Sequence, residues 1–256
     1  MTKTVLITGA GGSLGKEFVK YLVEQKHIVI GLDSCEWSVA ELKNDYPQIK
    51  ILLKDIEMWR FDQDPCELVI NCAAYKHVGL GEDNPHDFID NNLVKTGKLF
   101  SEAYKNGAEI LQISSDKAVE PISTYGFTKA LGEKLCTHYN GYIARLGNIV
   151  NSSGSVLPVW EQAIREGKKI KVTDLDMERY VIDVKEAVKQ IWQGYLEGKK
   201  LIIPEMGKPI KLYDLLCKVL KKHNLNYDSL YGRIEIIGIR KGEKMKEKLR
   251  WDWEEK

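Results

Sequence analysis

The chain predicts an α/β protein in which a doubly wound parallel sheet carries helices on both faces. Over about the first 150 residues, short apolar runs alternate with segments of helical periodicity. A glycine-rich turn joins the first apolar run to the first helical segment. After Arg145 the chain becomes richer in glycine and serine, and its elements become shorter. We therefore predict a sheet domain over residues 1–146, completed by residues 180–204, and a small C-terminal lobe formed mainly by residues 147–256.

Six apolar runs of the first domain are predicted strands, because each is short and bounded by turn residues. They are Thr4–Thr8, His27–Leu32, Ile49–Leu53, Glu67–Asn71, Ile110–Ile113 and Tyr142–Leu146, and Leu201–Ile203 is the candidate seventh strand. Helices are predicted at Lys16–Gln25, Trp37–Asp45, Pro85–Ala103 and Thr124–Tyr139. The lobe is predicted to contain helices Val159–Glu166, Val184–Glu197 and Ile210–Lys221, strands Lys169–Val172 and Arg233–Ile239, and a loop over residues 147–156.

Composition argues against several classes of protein. There are 38 basic and 37 acidic side chains, so the net charge of +1 does not suggest a nucleic-acid partner. The locally basic run Lys241–Lys248 is interrupted by glutamates and is predicted to be a solvated face. Five cysteines without C-x-x-C spacing favour buried, reduced thiols over disulfides or a metal site. No apolar run approaches the roughly 20 residues of a membrane span, and no signal peptide precedes the first strand, so a soluble cytoplasmic protein is expected.

The turn after the first strand has the spacing of a dinucleotide-binding fingerprint. Strand, glycine turn and helix follow one another directly, as this motif requires, so the sheet domain is predicted to be Rossmann-like. Gly9 permits the tight turn, Gly12 lets the backbone approach a pyrophosphate, and Gly15 allows the helix to pack closely on the strand. The pyrophosphate would lie at the helix N-terminus, where N–H groups favour an anion. The predicted phosphate-binding residues are Thr8, Gly9, Gly11, Gly12, Ser13, Leu14 and Gly15.

Further cofactor contacts are predicted at the ends of the next strands. Asp33 ends the second strand, where a carboxylate accepts hydrogen bonds from ribose hydroxyls and repels a 2′-phosphate; a role in a turn or helix cap stays open. NAD is therefore favoured over NADP. Asp55 and Ile56 follow the third strand, beside the expected adenine. Ala73 and Ala74 follow the fourth strand, where small side chains let the backbone pass close to a cofactor.

The stretch from Ser114 to Lys129 carries two candidate acid–base pairs. Tyr125 and Lys129 are four residues apart on a predicted helix, so both lie on one face and the ammonium can favour the phenolate. Such a phenolate is a general base for an alcohol that loses hydride. Asp116 and Lys117, after the fifth strand, form the second pair, with a loop salt bridge as the alternative interpretation.

Other polar residues are weaker candidates. Arg145, Arg179 and Arg240 could each clamp a phosphate, and surface ion pairing is an equally good explanation for all three. His77 is more typical of a loop or an interface than of a catalyst. Asn91 and Asn92 interrupt an apolar pattern, and one of them is expected to face the site and position water or backbone.

Several blocks of sequence together resemble one family. T-G-x-x-G-x-x-G, with Tyr125-x-x-x-Lys129, resembles the extended short-chain dehydrogenase/reductase superfamily. In order along the chain, NCAAYKHV, ISSDKAVEP-x-x-x-YG-x-TK, RLGNI, MERY and GIRKGEK resemble its polysaccharide-biosynthesis branch. Within that branch the resemblance is to the UDP-N-acetylglucosamine 4,6-dehydratases that invert C5, since retaining enzymes generally carry Asp-Glu where this chain has Asp116-Lys117. The similarity extends from residue 4 to about residue 248.

The resemblance implies a redox-neutral dehydration with a tightly bound, recycled NAD or NADP. Tyr125, supported by Lys129, would take the sugar O4 proton, and both residues would contact the cofactor. Lys117, kept neutral by a depressed pKa, would remove H5, and Asp116 would protonate the departing C6 hydroxyl. The resemblance also implies a homo-oligomer and a UDP-sugar site in the lobe cleft. That substrate site is expected to include Lys76, His77, Asn91, Ser114, Ser115, Arg145, Asn148, Val156, Arg179, Arg240 and Glu243.

Three other functions stay open at this level. A 4-epimerase uses the same Tyr125 and Lys129 pair but needs no acid–base pair at C5 and C6. A 4-keto-reductase would consume external NAD(P)H. A dinucleotide-sensing protein without activity is disfavoured, because every expected catalytic position is occupied.

Overall fold

The computed structural model describes residues 1–150, 152 and 155–254, with side chains for all of these except 229–231. Three residues of the predicted 147–156 loop therefore lie outside the described residues. At the centre of the described chain is a seven-stranded parallel sheet, which confirms the predicted fold class. Its strands are β1 (Thr4–Thr8), β2 (Ile28–Asp33), β3 (Lys50–Leu53), β4 (Leu68–Asn71), β5 (Glu109–Ser115), β6 (Tyr142–Leu146) and β7 (Leu201–Ile202). Their order across the sheet is β7-β6-β5-β4-β1-β2-β3.

Helices cover both faces of this sheet and build the lobe. They are α1 (Ser13–Glu24), α2 (Glu36–Asp45), α3 (Val78–Asp83), α4 (Pro85–Ile89), α5 (Thr96–Lys105), α6 (Thr124–His138), α7 (Val156–Arg165), α8 (Val184–Leu196) and α9 (Leu212–Lys222). Helices α1 and α8 pack together on one face, and α5 and α6 pack on the other. The chain thus returns from the lobe through α8 to add β7 at the sheet edge.

Alternation along the strands divides the sheet's apolar side chains between two cores. In β1, Val5 and Ile7 join the core under α1 and α8, whereas Leu6 joins the core under α5. Successive side chains of a strand point to opposite faces, so a strand covered on both sides is apolar throughout. All three residues are fully buried, and each contributes about 1.5–3 kcal/mol by leaving water.

A row of polar side chains crosses the sheet inside this apolar setting. Thr8 donates to the Asn71 side-chain oxygen at 2.5 Å, and the Asn71 amide donates to Gln112 Oε1 at 2.8 Å. These residues are register partners on β1, β4 and β5. The row lies near the carboxyl ends of the strands, where open α/β sheets bind their ligands.

The prediction of one regular helix over Pro85–Ala103 is wrong, because this range contains three helical segments of two types. The structure has α4, then a π-helical segment at Asp90–Lys95, then α5. The side chain of Asn92, inside the π segment, binds the backbone of Tyr75 through both N–H and C=O, each at 2.8 Å. A widened turn is a common device for redirecting a helix side chain near a functional site. The preceding helix α3 was not predicted.

The lobe has its own apolar cluster, centred on Trp160 from α7 and on the buried face of α9. Beside them, Ile170–Val172 and Ile234–Ile236 pair as parallel strands. The predicted helix at Ile210 begins instead at Leu212, because Ile210–Lys211 pairs with Glu178–Arg179 as a short antiparallel strand. Within the described residues, no helix is both long and apolar enough to cross a bilayer, and no His, Cys, Asp and Glu cluster could hold a metal ion.

Arg145 is a structural residue rather than the free phosphate clamp considered from the sequence. Its side chain is 1% exposed and forms two hydrogen bonds to the Glu133 carboxylate, at 3.0 and 2.6 Å. It also binds Glu254 at 2.7 Å and the Leu249 carbonyl at 2.8 Å. The guanidinium therefore ties β6, α6 and the C-terminal segment together. Ser114 belongs to the same network, since its hydroxyl donates to Glu133 at 2.5 Å.

We expect Arg145→Met to destabilise the protein by about 3–5 kcal/mol, because Glu133 would stay buried without its partner. Urea unfolding followed by circular dichroism measures the change. Lys222→Met is the matched control: it removes an ion pair with Glu161 whose lysine side chain is 68% exposed, and should have little effect. Equal losses for the two variants would contradict the structural role of Arg145.

Candidate active site

The glycine turn follows β1 and passes close to the end of β4. Gly9 has φ +61°, and a Cβ there would lie 2.8 Å from backbone atoms of Ala73. Gly12 is the N-cap residue of α1, so the cap position itself has no side chain. A Cβ on Gly15 would overlap the Gly9 carbonyl. The turn therefore needs glycine for its close packing and presents a helix N-terminus at the sheet edge.

Asp33 lies beside this turn. Its Oδ2 accepts a hydrogen bond from Gly11 N–H at 2.9 Å, and its Oδ1 accepts one from Cys35 N–H at 2.9 Å. The structure shows the turn role of Asp33, since the carboxylate orders the glycine turn, and the contact with a ribose hydroxyl stays a prediction. Asp55, at the next strand end, binds Lys95 at 2.8 Å. Lys95 comes from the π segment, so that segment also reaches the predicted adenine side.

The loop after β4 carries Ala73, Ala74, Lys76 and His77, and Asn92 fixes its position. Ala73 N–H donates to Thr8 Oγ1 at 3.3 Å, which attaches the loop to the end of β1. Lys76 and His77 are exposed. Asn91, predicted as a substrate residue, donates to the side chain of Asn92 at 3.1 Å. Of the two asparagines, Asn92 is the one that positions backbone, and it is buried whereas Asn91 is half-buried.

Two serine caps define the segment from β5 to α6. Ser115 accepts from Lys117 N–H and starts a short 3₁₀ turn over Asp116–Ala118. Ser123 accepts from Gly126 N–H at 3.0 Å and caps α6. A Cβ on Gly126 would lie 2.5 Å from the Lys117 carbonyl, so glycine lets the 3₁₀ turn approach the first turn of α6. This approach places Asp116 and Lys117 near Tyr125.

Tyr125 and Lys129 are both buried on α6, but their contacts differ from the predicted pair. Lys129 Nζ donates to the Ile113 carbonyl at 2.9 Å, and burial lowers its pKa to about 8. Burial raises the pKa of Tyr125, while the positive charge of Lys117 and a hydrogen bond with Ser115 oppose that change. The cation that favours the Tyr125 phenolate is therefore Lys117, whereas Lys129 is bound to the backbone of β5.

Asp116 and Lys117 form a direct pair. Lys117 Nζ lies 3.0 Å from Asp116 Oδ1, which also accepts from Ser115 at 2.9 Å. Asp116 is fully buried, and its Oδ2 has no hydrogen-bond partner among the described atoms. Burial alone would lower the pKa of Lys117, but the Asp116 and Glu247 carboxylates raise it. The depressed pKa expected for Lys117 is thus wrong.

The residues Lys241–Lys248 are not the solvated face that was predicted. Glu247 is buried and lies 3.4 Å from Lys117 Nζ, and Lys244 donates to the Val119 carbonyl at 2.7 Å. Lys241, Lys246 and Lys248 do keep exposed side chains. Sequence reasoning missed Glu247, although its position just after the GIRKGEK block could have marked it.

The remaining predicted substrate residues lie on different parts of the lobe. Arg179 is buried, donates to carbonyls of Glu178 and Met245, and is close enough for its charge to act on Lys117. Arg240 is exposed, and Glu243 has a buried Oε2 without a hydrogen bond among the described residues. Asn148 pairs with Val181 in a short parallel strand, and Val156 begins α7 and packs on the lobe's apolar cluster.

Comparison with known proteins identifies the family of this fold and site. The chain belongs to the polysaccharide biosynthesis protein family, whose model matches residues 5–256. This family is part of the extended short-chain dehydrogenase/reductase superfamily of NAD-dependent epimerases and dehydratases.

Three relatives illustrate the range of this group. An uncharacterized membrane protein of Methanocaldococcus jannaschii is 34% identical over 267 residues, covering 96% of this chain and 80% of the relative. The inverting UDP-N-acetylglucosamine 4,6-dehydratase of Campylobacter jejuni is 31% identical over 266 residues, covering 96% and 76%. The probable polysaccharide biosynthesis protein EpsC of Bacillus subtilis is 33% identical over 96% of this chain, which spans 45% of EpsC.

Among solved structures, the dTDP-glucose 4,6-dehydratase of Streptomyces venezuelae with NAD bound superposes with a TM-score of 0.86. The match covers 96% of this chain and 88% of that chain, at 18% sequence identity. At this identity the likeness shows the shared fold alone.

We expect the buried Lys129 to make the free energy of unfolding depend on pH. Its pKa is about 8 in the folded protein and 10.5 as an ordinary lysine, so between these values the unfolded chain binds more protons. Stability therefore rises with pH across this window, and Lys129 costs stability below it. In urea unfolding of the cofactor-free protein, Lys129→Met should be less sensitive to pH across this window.

Lys134→Met, on an exposed position of α6, is the matched control and should follow the wild type. An identical pH dependence in all three proteins would contradict the burial of a titrating Lys129 amine.

Proposed function

We propose that the protein is a nucleotide-sugar 4,6-dehydratase that converts UDP-N-acetylglucosamine to a UDP-2-acetamido-2,6-dideoxy-4-keto-hexose with inversion at C5. The observation that carries the proposal is the Asp116–Lys117 pair, in contact at 3.0 Å beside the buried Tyr125. An acid and a base next to an alcohol-oxidising tyrosine are what C5–C6 elimination needs and 4-epimerisation does not. The 31% identity to the inverting dehydratase of Campylobacter jejuni supports the same activity.

The glycine turn fits a dinucleotide, because added Cβ atoms at Gly9 and Gly15 would meet backbone and Gly12 leaves the α1 N-terminus open to an anion. Asp33 would accept from the adenosine ribose, which favours NAD, and Ala73 would line the cofactor. Bound NAD(P)⁺ would supply the acceptor for the C4 hydride and return that hydride to C6.

Tyr125 has the first proton-transfer role. Its phenolate oxygen would accept the O4 proton as C4 is oxidised, and a ketone forms at C4. Because burial raises the pKa of Tyr125, the phenolate needs nearby positive charge, which Lys117 supplies. Lys129 would contribute once a cofactor displaces its hydrogen bond to Ile113.

Elimination of water follows at C5 and C6. The C4 ketone acidifies H5, so the Lys117 amine can take that proton while the C5–H electron pair forms the C5–C6 double bond. The C6–O bond breaks, and Asp116 gives its proton to the departing oxygen, which leaves as water. Hydride would then be added to C6, and a proton taken from solvent would be added to C5 on the opposite face, which gives the inverted product.

The direct contact within the pair explains how Lys117 can act as a neutral base although its pKa is raised. One proton shared by Asp116 and Lys117 gives either a carboxylate and an ammonium or a carboxylic acid and an amine. Only the second arrangement contains both the acid and the base that the reaction uses. Exclusion of water by a bound sugar disfavours separated charges and so favours that neutral arrangement.

Incubation with UDP-N-acetylglucosamine in D₂O tests the activity. Mass spectrometry should show loss of one water, and NMR should show deuterium at C5 of a 6-deoxy-4-keto sugar. An isomer of unchanged mass would instead identify a 4-epimerase, and net consumption of added NAD(P)H a 4-keto-reductase. No turnover of any UDP- or dTDP-sugar would contradict an enzymatic function.

Lys117→Met should slow water loss by about 100-fold or more, the range of general acid–base catalysis, while still allowing reduction of bound NAD(P)⁺. The absorbance of the reduced nicotinamide reports the first step, and mass spectrometry reports the second. Lys98→Met is the control, since that side chain is exposed and pairs with Glu57. Normal water loss by Lys117→Met would refute the role of Lys117 as base.

A further inference from the structure

The 3₁₀ turn that carries Asp116 and Lys117 is held by a distant part of the chain, residues 240–254, which we call the C-terminal strap. Lys244 of the strap donates to the Val119 carbonyl at 2.7 Å, and Lys248 binds Glu120 at 2.6 Å. A Cβ on Gly242 would lie 2.9 Å from Ser123 Cβ, so the strap also packs at the start of α6. The strap thus contacts the segment between β5 and α6 at several points.

Within the strap, Glu247 is the residue directed at the candidate acid–base pair. Its side chain is 2% exposed; Oε1 lies 3.4 Å from Lys117 Nζ, and Oε2 lies 3.3 Å from Lys244 Nζ. Oε2 accepts no hydrogen bond from any atom that the structure describes. A buried carboxylate with an incomplete set of hydrogen bonds costs free energy. Because Lys244 and Lys248 already attach the strap, attachment alone does not explain a buried carboxylate at this position.

We propose that Glu247 is a positioning residue for Lys117, which holds the lysine amine between the strap and Asp116 for proton abstraction at C5. This inference rests on the proposed dehydratase function. Two carboxylates from different segments restrict the long lysine side chain more than Asp116 alone would. Glu247 is not assigned a contact with the sugar.

The carboxylate of Glu247 also affects the pKa of Lys117, together with the other charged groups around that lysine. Asp116 faces it from its own turn, Glu247 from the strap, Arg179 from the lobe and Tyr125 from α6. Burial and Arg179 lower the pKa of Lys117, and the two carboxylates more than offset them. Glu247 thereby makes the neutral amine a stronger base, because it stabilises the ammonium that forms when H5 is taken. Without its charge, the pKa of Lys117 falls.

The test compares the pH dependence of water loss in Glu247→Gln and in the wild type. The limiting rate should fall by about 10- to 100-fold, as small misplacements of catalytic groups do. The midpoint of the fall in rate at high pH, where the Asp116–Lys117 pair loses its shared proton, should move to lower pH, because loss of the Glu247 charge lowers the pKa of Lys117. Reduction of bound NAD(P)⁺, the step before Lys117 takes H5, should change much less.

Two variants separate this role from loss of folding. Glu247→Asp keeps the charge, so its midpoint should lie closer to that of the wild type. Glu120→Gln removes another carboxylate that contacts the strap, but its ion pair with Lys248 is exposed, and its profile should stay unchanged. A lower rate with an unmoved midpoint in Glu247→Gln would overturn the proposal.

A measurement without turnover tests the role of Glu247 separately from the dehydratase function. NMR of protein labelled at the lysine side chains can follow the titration of Lys117, assigned with Lys117→Met. If that titration moves to lower pH in Glu247→Gln but the wild type dehydrates no sugar, the link between the residues stands and the dehydratase function fails. If the wild type dehydrates UDP-N-acetylglucosamine and the Lys117 titration is unmoved, the role of Glu247 fails alone.

Discussion

Burial of the Lys117 ammonium requires compensating charge from two separate parts of the chain. Asp116 is its neighbour in sequence, but Glu247 reaches it only because the C-terminal strap crosses the segment between β5 and α6. Most of the unusual features of this region serve that arrangement. Gly126 lets the 3₁₀ turn approach α6, and Arg145 binds the end of the strap to β6 and α6. The geometry of one amine thus depends on the whole path of the chain from β5 to its C-terminal segment.

The elements that the sequence predicts well are those determined by local pattern. The strands of the sheet are short apolar runs between turns, and each was found within two residues of its predicted ends. The glycine turn was predicted because its spacing reflects close packing of adjacent segments. The π segment was not, because it depends on Asn92 binding Tyr75, a residue on another loop. A helical pattern in sequence contains no information about such a partner.

Long-range partners also explain why the site was predicted only in part. In the sequence, Arg145 is indistinguishable from an arginine that binds phosphate. Only the positions of Glu133 and Glu254 in the structure show that its charge is neutralised within the fold. Lys241–Lys248 alternates in charge like a solvated surface, yet Lys244 and Glu247 face inward. Tyr125 and Lys129 share one helix face as predicted, but the carbonyl of Ile113 competes for the ammonium. Residue type and spacing identify candidates, whereas partners far away in sequence determine their roles.

The row formed by Thr8, Asn71 and Gln112 has a consequence for how strictly the strand ends are aligned. A slip of β4 by one residue would turn Asn71 toward the opposite face and place an apolar side chain between two hydroxyl or amide groups that have no water. Pairing of the strands in a shifted register therefore costs free energy, because it leaves buried polar groups without partners. The glycine turn after β1 and the loop after β4 consequently begin at the same level, one residue beyond this row, whereas β5 continues to Ser115 before its 3₁₀ turn. A polar contact far from any reacting atom in this way sets the relative spacing of the loops that surround the site.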